Sequence, residues 1–277
     1  LLGYFFIFAI LTNMKATNNE DIFIYGRQPV LDVLRRTPKR VKRLLVKESV
    51  QASFLKDIEA LARKAHMKIQ TVTENDIERL VGEVNHQGVV ALIASGAQMF
   101  SIWKDTIKLH KNPAVLLFQD IQDPHNVGAM IRTAVAVGVE AVLVPRFNQA
   151  PLDGAVYKTS AGMVDRIPVV EIGNVNESIR KLKEIGFWIV GIDEEGKQSI
   201  WEGDFDMPIC FVIGSEGDGM PEKTRELCDF LIQIPMENNV PSLNASVSAA
   251  IVMYEWKRRR TSNTPAASSK VVKKTKK

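Results

Sequence analysis

The segment ICFVIGSEGDGMP, residues 209–221, decides the fold class because an apolar run leads directly into a glycine-rich turn. An uninterrupted apolar run predicts a strand that is buried on both faces, as in a parallel sheet covered by helices. The glycines after it permit positive φ angles and a close approach of the backbone to a ligand. The turn lacks the Lys-Ser/Thr ending of a phosphate loop and the spacing of a dinucleotide-binding motif. It therefore indicates a site for a polar, uncharged or cationic ligand.

Similar apolar runs alternate with helical patterns through the rest of the second half. We predict strands at 115–119, 140–144, 188–192, 209–213 and 230–234, and helices at 126–137, 175–185, from Pro221 onward, and at 244–260. This alternation is typical of a doubly wound α/β domain, which binds ligands beyond the carboxyl ends of its strands. The first half predicts a smaller α/β unit, with helices at 29–35 and 54–65 and strands at 41–46, 68–72 and 89–94.

The predicted fold is therefore α/β, with a small N-terminal domain before a larger C-terminal domain. We divide the chain into an extension (1–21), a small N-terminal domain (22–96), a linker with some helix (97–112), a large C-terminal domain (113–260) and a basic disordered tail (261–277). We also expect Leu1 to Asn13 to be an upstream in-frame extension, with Met14 as the natural start.

Bulk composition excludes several classes of protein. The formal charge is +4, but the last eight residues hold five lysines, so the remainder of the chain is close to neutral. Two cysteines suit a reducing cytoplasm and predict buried thiols, without a disulfide framework. The histidines lack neighbouring ligands at metal-binding spacing, so no metal is expected. The apolar start, 1–11, is shorter than the roughly 20 residues of a membrane-spanning helix.

A second candidate segment is DIQDPHNVGAMIRTA, residues 120–134, which follows the strand predicted at 115–119. Asn126 has two interpretations, a helix cap or a site residue. Arg132 is either a surface cation or a site residue. Nothing in this segment alone decides between them.

A third segment, VPSLNASVSAA, covers residues 240–250. It follows the strand predicted at 230–234 and begins a helix rich in small residues. Ser242 is either a cap for that helix or a site residue, and the alanines permit close helix packing.

Together the three segments resemble, in order and spacing, the motifs of the SpoU (TrmH) family of RNA 2′-O-methyltransferases, within the SPOUT superfamily. The resemblance covers residues 115–257. The front part, with YGRQPV at 25–30 and HQGV at 86–89, is similar to the substrate-binding domain of the bacterial 23S rRNA enzymes of this family.

The resemblance implies a trefoil-knotted parallel sheet, S-adenosylmethionine as methyl donor, an RNA substrate and a homodimer without metal or membrane attachment. The implied catalytic residues are Asn126, Arg132, Glu216, Ser242 and Asn244. The implied cofactor-binding residues are Gly214, Ile234, Met236 and Leu243. Small residues at 245, 249 and 250 would permit close helix contact in the dimer.

In this family, the residue that corresponds to Arg132 is regarded as the group that activates the ribose 2′-OH. A charged guanidinium has no hydrogen-bond acceptor. We therefore prefer an electrostatic role for Arg132, as a clamp on phosphate and on developing alkoxide charge.

Two alternatives remain at this stage. The first is a tRNA ribose methyltransferase, against which the N-terminal domain weighs because many tRNA enzymes of this family lack it. The second is a non-catalytic RNA-binding factor of ribosome assembly, which cofactor binding would exclude. A Rossmann dehydrogenase is excluded by the missing glycine motif.

Overall fold

The N-terminal sheet forms from four strands in the order β1-β4-β2-β3, in which only β2 and β3 run parallel. The computed structural model describes residues 21–109, 112–215, 217, 219–238 and 240–262. The elements of this domain are β1 (Asp21–Tyr25), α1 (Arg27–Arg36), a 3₁₀ turn (Pro38–Arg40), β2 (Val41–Lys47), α2 (Ala52–Lys64), β3 (Ile69–Val72), α3 (Glu74–Val81) and β4 (Val89–Ala94).

Burial explains which N-terminal elements the sequence predicts and which it misses. Helix α2 buries Phe54, Ile58 and Ala62, at the helical spacing that predicts it. Two elements were not predicted, namely β1 and α3. Helix α3 has only eight residues and buries Ile77, but Thr73 and Asp76 form a capping box at its start. The capping box is visible in the sequence and could have predicted the start of this helix.

The C-terminal sheet contains, within the described residues, eight strands in the order β10-β12-β9-β11-β6-β7-β8-β5, and every pair is parallel. The strands are β5 (Gln98–Met99), β6 (Ala114–Phe118), β7 (Ala141–Pro145), β8 (Val169–Ile172), β9 (Trp188–Ile192), β10 (Gln198–Ser199), β11 (Ile209–Ile213) and β12 (Phe230–Gln233). Every residue of β6, β7 and β11 is buried. The prediction of a parallel sheet covered on both faces is confirmed.

The helices of this domain are α4 (Phe100–Trp103), α5 (Pro124–Val137), α6 (Gly154–Thr159), α7 (Val175–Glu184), α8 (Glu222–Arg225) and α9 (Ala245–Ser262), with a 3₁₀ turn at Met163–Arg166. The predicted helices are present. However, Pro221 lies one residue before α8 rather than inside it. Helix α6 and strands β5, β8 and β10 were not predicted, since each has six residues or fewer.

At two predicted boundaries, regular secondary structure extends into a segment that was assigned to the linker or to the tail. Residues 98–103, within the predicted linker, form β5 and α4, and Trp103 packs into a hydrophobic cluster with Phe187. Residues 261–262, assigned to the tail, are the last residues of α9. The predictions for residues 1–20 and 263–277, including a start at Met14, lie outside the described residues. The implied knot stays a prediction. Among the described helices, none combines the length and apolar character that a membrane span requires.

Both cysteines are free thiols. Cys210 is buried within β11, as predicted. Cys228 lies beyond the end of α8 and is only partly buried, whereas a buried thiol was predicted. Burial raises the pKa of both thiols, that of Cys228 to about 12.

The two domains meet through a buried charged contact centred on Asp165, whose side chain is fully buried. Arg40, from the N-terminal domain, forms an ion pair with Asp165 and donates to Tyr157 Oη at 2.9 Å. Tyr157 Oη donates in turn to Asp165 Oδ1 at 3.0 Å. Burial, followed by the charge of Asp165, raises the pKa of Tyr157, so this hydroxyl stays protonated and available as a donor.

Arg40→Ala should destabilise the protein strongly because it leaves the buried Asp165 carboxylate without its cation. Breaking a buried ion pair from one side costs about 3–5 kcal/mol. Urea unfolding measures this loss. The matched control is Arg35→Ala, which removes a more exposed pair with Asp32 and should cost about 1 kcal/mol at most. Equal effects of the two substitutions would contradict the assigned role of the Asp165 contact.

Candidate active site

The three sequence segments meet at one edge of the C-terminal sheet. They follow β6, β11 and β12, which all run parallel, so their carboxyl ends point the same way. The segments therefore come together although more than a hundred residues separate the first from the third. This is the arrangement that strand-end placement predicted.

Asn126 is not the cap of α5, and its assignment to the site stays a prediction. Asp123 caps α5, since its side chain accepts from the backbone N–H of His125 at 2.8 Å. Asn126 lies one turn further on and is buried, with its Oδ1 accepting from Asn244 Nδ2 at 3.1 Å. The cap interpretation of Asn126 is wrong because the aspartate three residues earlier takes that position.

The side chain of Asn244 both caps a helix and contacts the first segment. Its Oδ1 caps α9 by accepting from the backbone N–H groups of Ser246 (2.9 Å) and Val247 (3.3 Å) and from the Ser246 hydroxyl. Its amide nitrogen donates to Asn126. One side chain therefore starts the last helix and connects the first and third segments. The alternative in which Ser242 caps this helix is wrong.

Gly214 occupies a position that excludes any side chain. The turn after β11 folds back so that Ser215 bridges to Gly219, with the Ser215 N–H donating to the Gly219 carbonyl at 3.0 Å. A Cβ added at Gly214 would lie 2.6 Å from the Gly219 carbonyl carbon. Because the obstructing atoms belong to the backbone, they cannot move aside cheaply. Glycine is required here by close approach.

A cavity of about 420 Å³ lies beside this turn. Its lining includes all four residues predicted to bind a cofactor, together with Ser242: Gly214, Ile234, Met236, Ser242 and Leu243. Its size falls within the range of small-molecule sites. Asn126, Asn244 and Arg132 do not line it.

The remaining two predicted catalytic residues are Arg132 and Glu216. Arg132 is exposed on α5, and no hydrogen bond or ion pair joins it to any residue that the structure describes. Glu216 lies outside the described residues. Arg132 lies on the surface of the helix that also carries Asn126, and its charge is available to a ligand.

The alanines of α9 pack within the chain. Ala245 and Ala249 are buried where α9 lies against α5. Their small size permits close packing of α9 on α5, and their expected role in dimer contact stays a prediction. Ala250 is partly buried.

Three charged residues of the cavity wall were not predicted from the sequence, namely Asp193, Glu194 and Arg225. Asp193 and Arg225 form an ion pair at 2.9 Å, and Asp193 is buried. Asp193 directly follows β9, a predicted strand, so the strand-end rule could have found it. Arg225 carried no such signal.

One group of possible metal ligands occurs within the described part of the chain, formed by Glu74, Glu78 and His86. Sequence spacing misses this group because the fold brings His86 to the start of α3. The ammonium group of Lys47 already binds one of these carboxylates, that of Glu74. Its hydrogen bond lowers the pKa of Glu74. The group lies in the N-terminal domain, away from the three segments.

Comparison with known proteins gives the family. Residues 113–254 match the family described as the SpoU rRNA Methylase family. The chain belongs to this family. Residues 23–98 match a second family, described as RNA 2'-O ribose methyltransferase substrate binding. Membership in the SpoU family makes the chain an RNA ribose 2′-O-methyltransferase, and its methyl donor is S-adenosylmethionine, as predicted.

Relatives and solved structures match nearly the whole chain. A Xylella fastidiosa protein named 23S rRNA (guanosine-2'-O-)-methyltransferase RlmB is 36% identical over 250 residues, which cover 88% of this chain and 99% of that protein. A Vibrio parahaemolyticus protein of the same name is 36% identical over 239 residues, 86% of this chain and 97% of its own length. The SpoU methyltransferase AviRb from Streptomyces viridochromogenes, solved in complex with AdoMet, has a TM-score of 0.76 and 26% identity, covering 90% of this chain and 93% of that chain.

Asn244→Ala should lower the free energy of unfolding by about 1 kcal/mol because α9 loses its cap. Asn244→Asp keeps a capping oxygen but loses the N–H donor to Asn126, so its stability should lie between those of Asn244→Ala and the wild type. Urea unfolding followed by circular dichroism measures both values. If Asn244→Ala is as stable as the wild type, Asn244 does not cap the helix of this SpoU domain.

Proposed function

We propose that this protein transfers a methyl group from S-adenosylmethionine to the ribose 2′-OH of a guanosine in 23S rRNA. The observation that carries the proposal is the convergence of the three SpoU segments on one sheet edge, where the first and third are joined by the hydrogen bond between Asn126 and Asn244. The assignment of rRNA as the substrate is supported by two relatives named 23S rRNA (guanosine-2'-O-)-methyltransferase, which match 86–88% of the chain. It is supported also by the match of residues 23–98 to the substrate-binding family. Mapping ribose methylation on 23S and transfer RNA from cells with and without the protein tests it.

The cavity beside Gly214 suits the methyl donor in size and chemistry. Its wall combines backbone at Gly214 with apolar side chains at Ile234, Met236 and Leu243. Such a wall accommodates an adenosine by shape and by backbone hydrogen bonds. The exposed carboxylate of Glu194, at its rim, suits a ligand that carries positive charge.

The bound methyl donor supplies an electrophilic methyl group, and the chain must place the 2′-oxygen in line with it. Orientation alone can supply a large part of the rate enhancement. Ser242 lines the cavity, and Asn126 accepts a hydrogen bond from Asn244, the residue between the cavity-lining Leu243 and Ala245. We assign them to positioning the ribose, with Glu216 fixing the substrate or Arg132.

Arg132 acts by charge in this proposal. Its guanidinium is exposed and offers several donors but no acceptor. It therefore clamps a phosphate and stabilises the negative charge that develops on the 2′-oxygen.

A homodimer in the cytoplasm completes the proposal. Tyr254 is 56% exposed and Val247 45% exposed on the face of α9 that does not pack against α5. Exposed apolar groups on a long helix suit contact with a second copy. Two cysteines without a disulfide suit a reducing compartment. No metal is required by any step.

Gly214→Ala should weaken S-adenosylmethionine binding about tenfold or more, because the added methyl group forces the Gly219 carbonyl out of place. The matched control is Gly173→Ala, an exposed position outside the cavity where a Cβ meets nothing within 4 Å, and it should stay within about twofold. Isothermal titration calorimetry measures both dissociation constants. Equal affinities would place the methyl donor elsewhere.

Arg132→Ala should reduce kcat about 100-fold or more, as expected for loss of a group that stabilises developing charge. Cofactor affinity should stay within about tenfold, which corresponds to about 1.4 kcal/mol. Transfer of labelled methyl groups to 23S rRNA measures turnover, with the exposed Arg180→Ala as the control. Near-normal turnover would remove Arg132 from the mechanism.

A further inference from the structure

An exposed aromatic side chain stands on the loop that follows β7. Phe147 is 74% exposed, the highest value among the large hydrophobic residues that the structure describes. Its neighbours along the loop are Arg146, Asn148 and Gln149, which are all polar. Most of the surface of this ring is therefore accessible to a ligand, and an aromatic face can stack on another flat ring.

The loop belongs to the same sheet edge as the three SpoU segments. Strand β7 pairs with β6, which pairs with β11, so β7 lies two strands from β11. Parallel neighbours are about 4.8 Å apart, which places the two strands about 10 Å apart. Phe118 of β6 is in register with Ile213 of β11, and Leu117 is in register with Leu143. Phe147 therefore stands beyond the end of the sheet, on the side where Ser215 lines the cavity.

The loop backbone is held in place rather than left to move. The Gln149 side chain accepts from the Ile121 N–H at 3.1 Å, and the Ala150 N–H donates to the Ile121 carbonyl at 2.9 Å. Asn148 has a φ of 54°, the left-handed conformation that Asn tolerates better than most residues. Ile121 lies in the first SpoU segment. The position of Phe147 is thereby fixed relative to the helix that carries Asn126 and Arg132.

We propose that Phe147 forms a stacking platform for a base next to the methylated nucleotide. The proposal rests on the function proposed above and adds a residue that determines where the RNA lies. Proteins recognise single-stranded and loop RNA by stacking unpaired bases on aromatic rings. Such stacking needs one exposed ring and tolerates polar surroundings. A protein interface needs a continuous apolar core instead, and the polar residues on either side of Phe147 do not supply one.

The charges near this sheet edge are compatible with the role. Arg146, next to Phe147 in the chain, has a side chain that is 61% exposed, but it forms an ion pair with the Glu171 carboxylate, which offsets its charge. Arg132 on α5 is exposed as well, and its cation is the one that we assign to a phosphate of the bound RNA.

The experiment compares substitutions at Phe147 in the full-length protein, with a 23S rRNA transcript and labelled S-adenosylmethionine. Phe147→Leu keeps apolar volume but removes the ring, and it should raise KM for RNA about tenfold. Phe147→Tyr and Phe147→Trp keep a ring and should stay within about threefold of the wild type. The affinity for S-adenosylmethionine and the unfolding midpoint should not change in any of these variants. The control Trp188→Leu alters an exposed aromatic residue at the opposite edge of the sheet and should leave KM for RNA unchanged.

The possible results separate the two proposals. If the wild type does not methylate the transcript while 23S rRNA from cells lacking the protein retains its methyl groups, the proposed substrate fails. If the wild type is active and Phe147→Leu matches it in KM, the stacking platform is overturned. If Phe147→Leu changes sedimentation of the protein alone, the ring contacts a second copy and the RNA proposal is likewise overturned.

Discussion

The parallel pairing of β11 with β6 on one side and β9 on the other determines where every candidate site residue lies. All three strands are almost wholly apolar, and β6 and β11 are buried along their full length. Burial on both faces requires helices above and below the sheet, so each strand must be followed by a crossover. The carboxyl ends then share one edge, and the loops beyond them form the cavity. The chemistry of this enzyme depends on that shared direction.

Periodicity and composition predicted the elements with strong burial patterns. Strands such as β9 and β11 were predicted with their observed bounds because five successive apolar residues leave little alternative. Short elements were missed, since two-residue strands such as β5 and β10 are defined by pairing with distant residues. Helix α3 was missed despite its capping box. Local patterns therefore predict the centre of the large sheet better than its margins.

Individual site residues were harder to assign than the fold. Asn126 has the position and chemistry of a cap, and only the observed contacts show that Asp123 has that role. Asp193 was predictable from the strand before it, whereas its partner Arg225 was not, because their pairing depends on the tertiary fold. Long-range pairs such as Asn126 with Asn244 leave no mark on either local sequence. The family resemblance supplied what the spacing within each segment could not.

Asn244 begins the last described helix and also contacts the first SpoU segment. Parts of the site that lie far apart in the chain are therefore synthesised at different times. Ribosomes release the N-terminal part of a chain first. A nascent chain that has reached β12 has its sheet but lacks the cavity wall from Leu243 and Ala245, and Asn126 has no Asn244 opposite it. The complete cavity wall and the Asn126–Asn244 hydrogen bond therefore form only after the start of α9 has been synthesised. A chain whose translation stops short of α9 lacks part of that site even when its N-terminal domain has already folded.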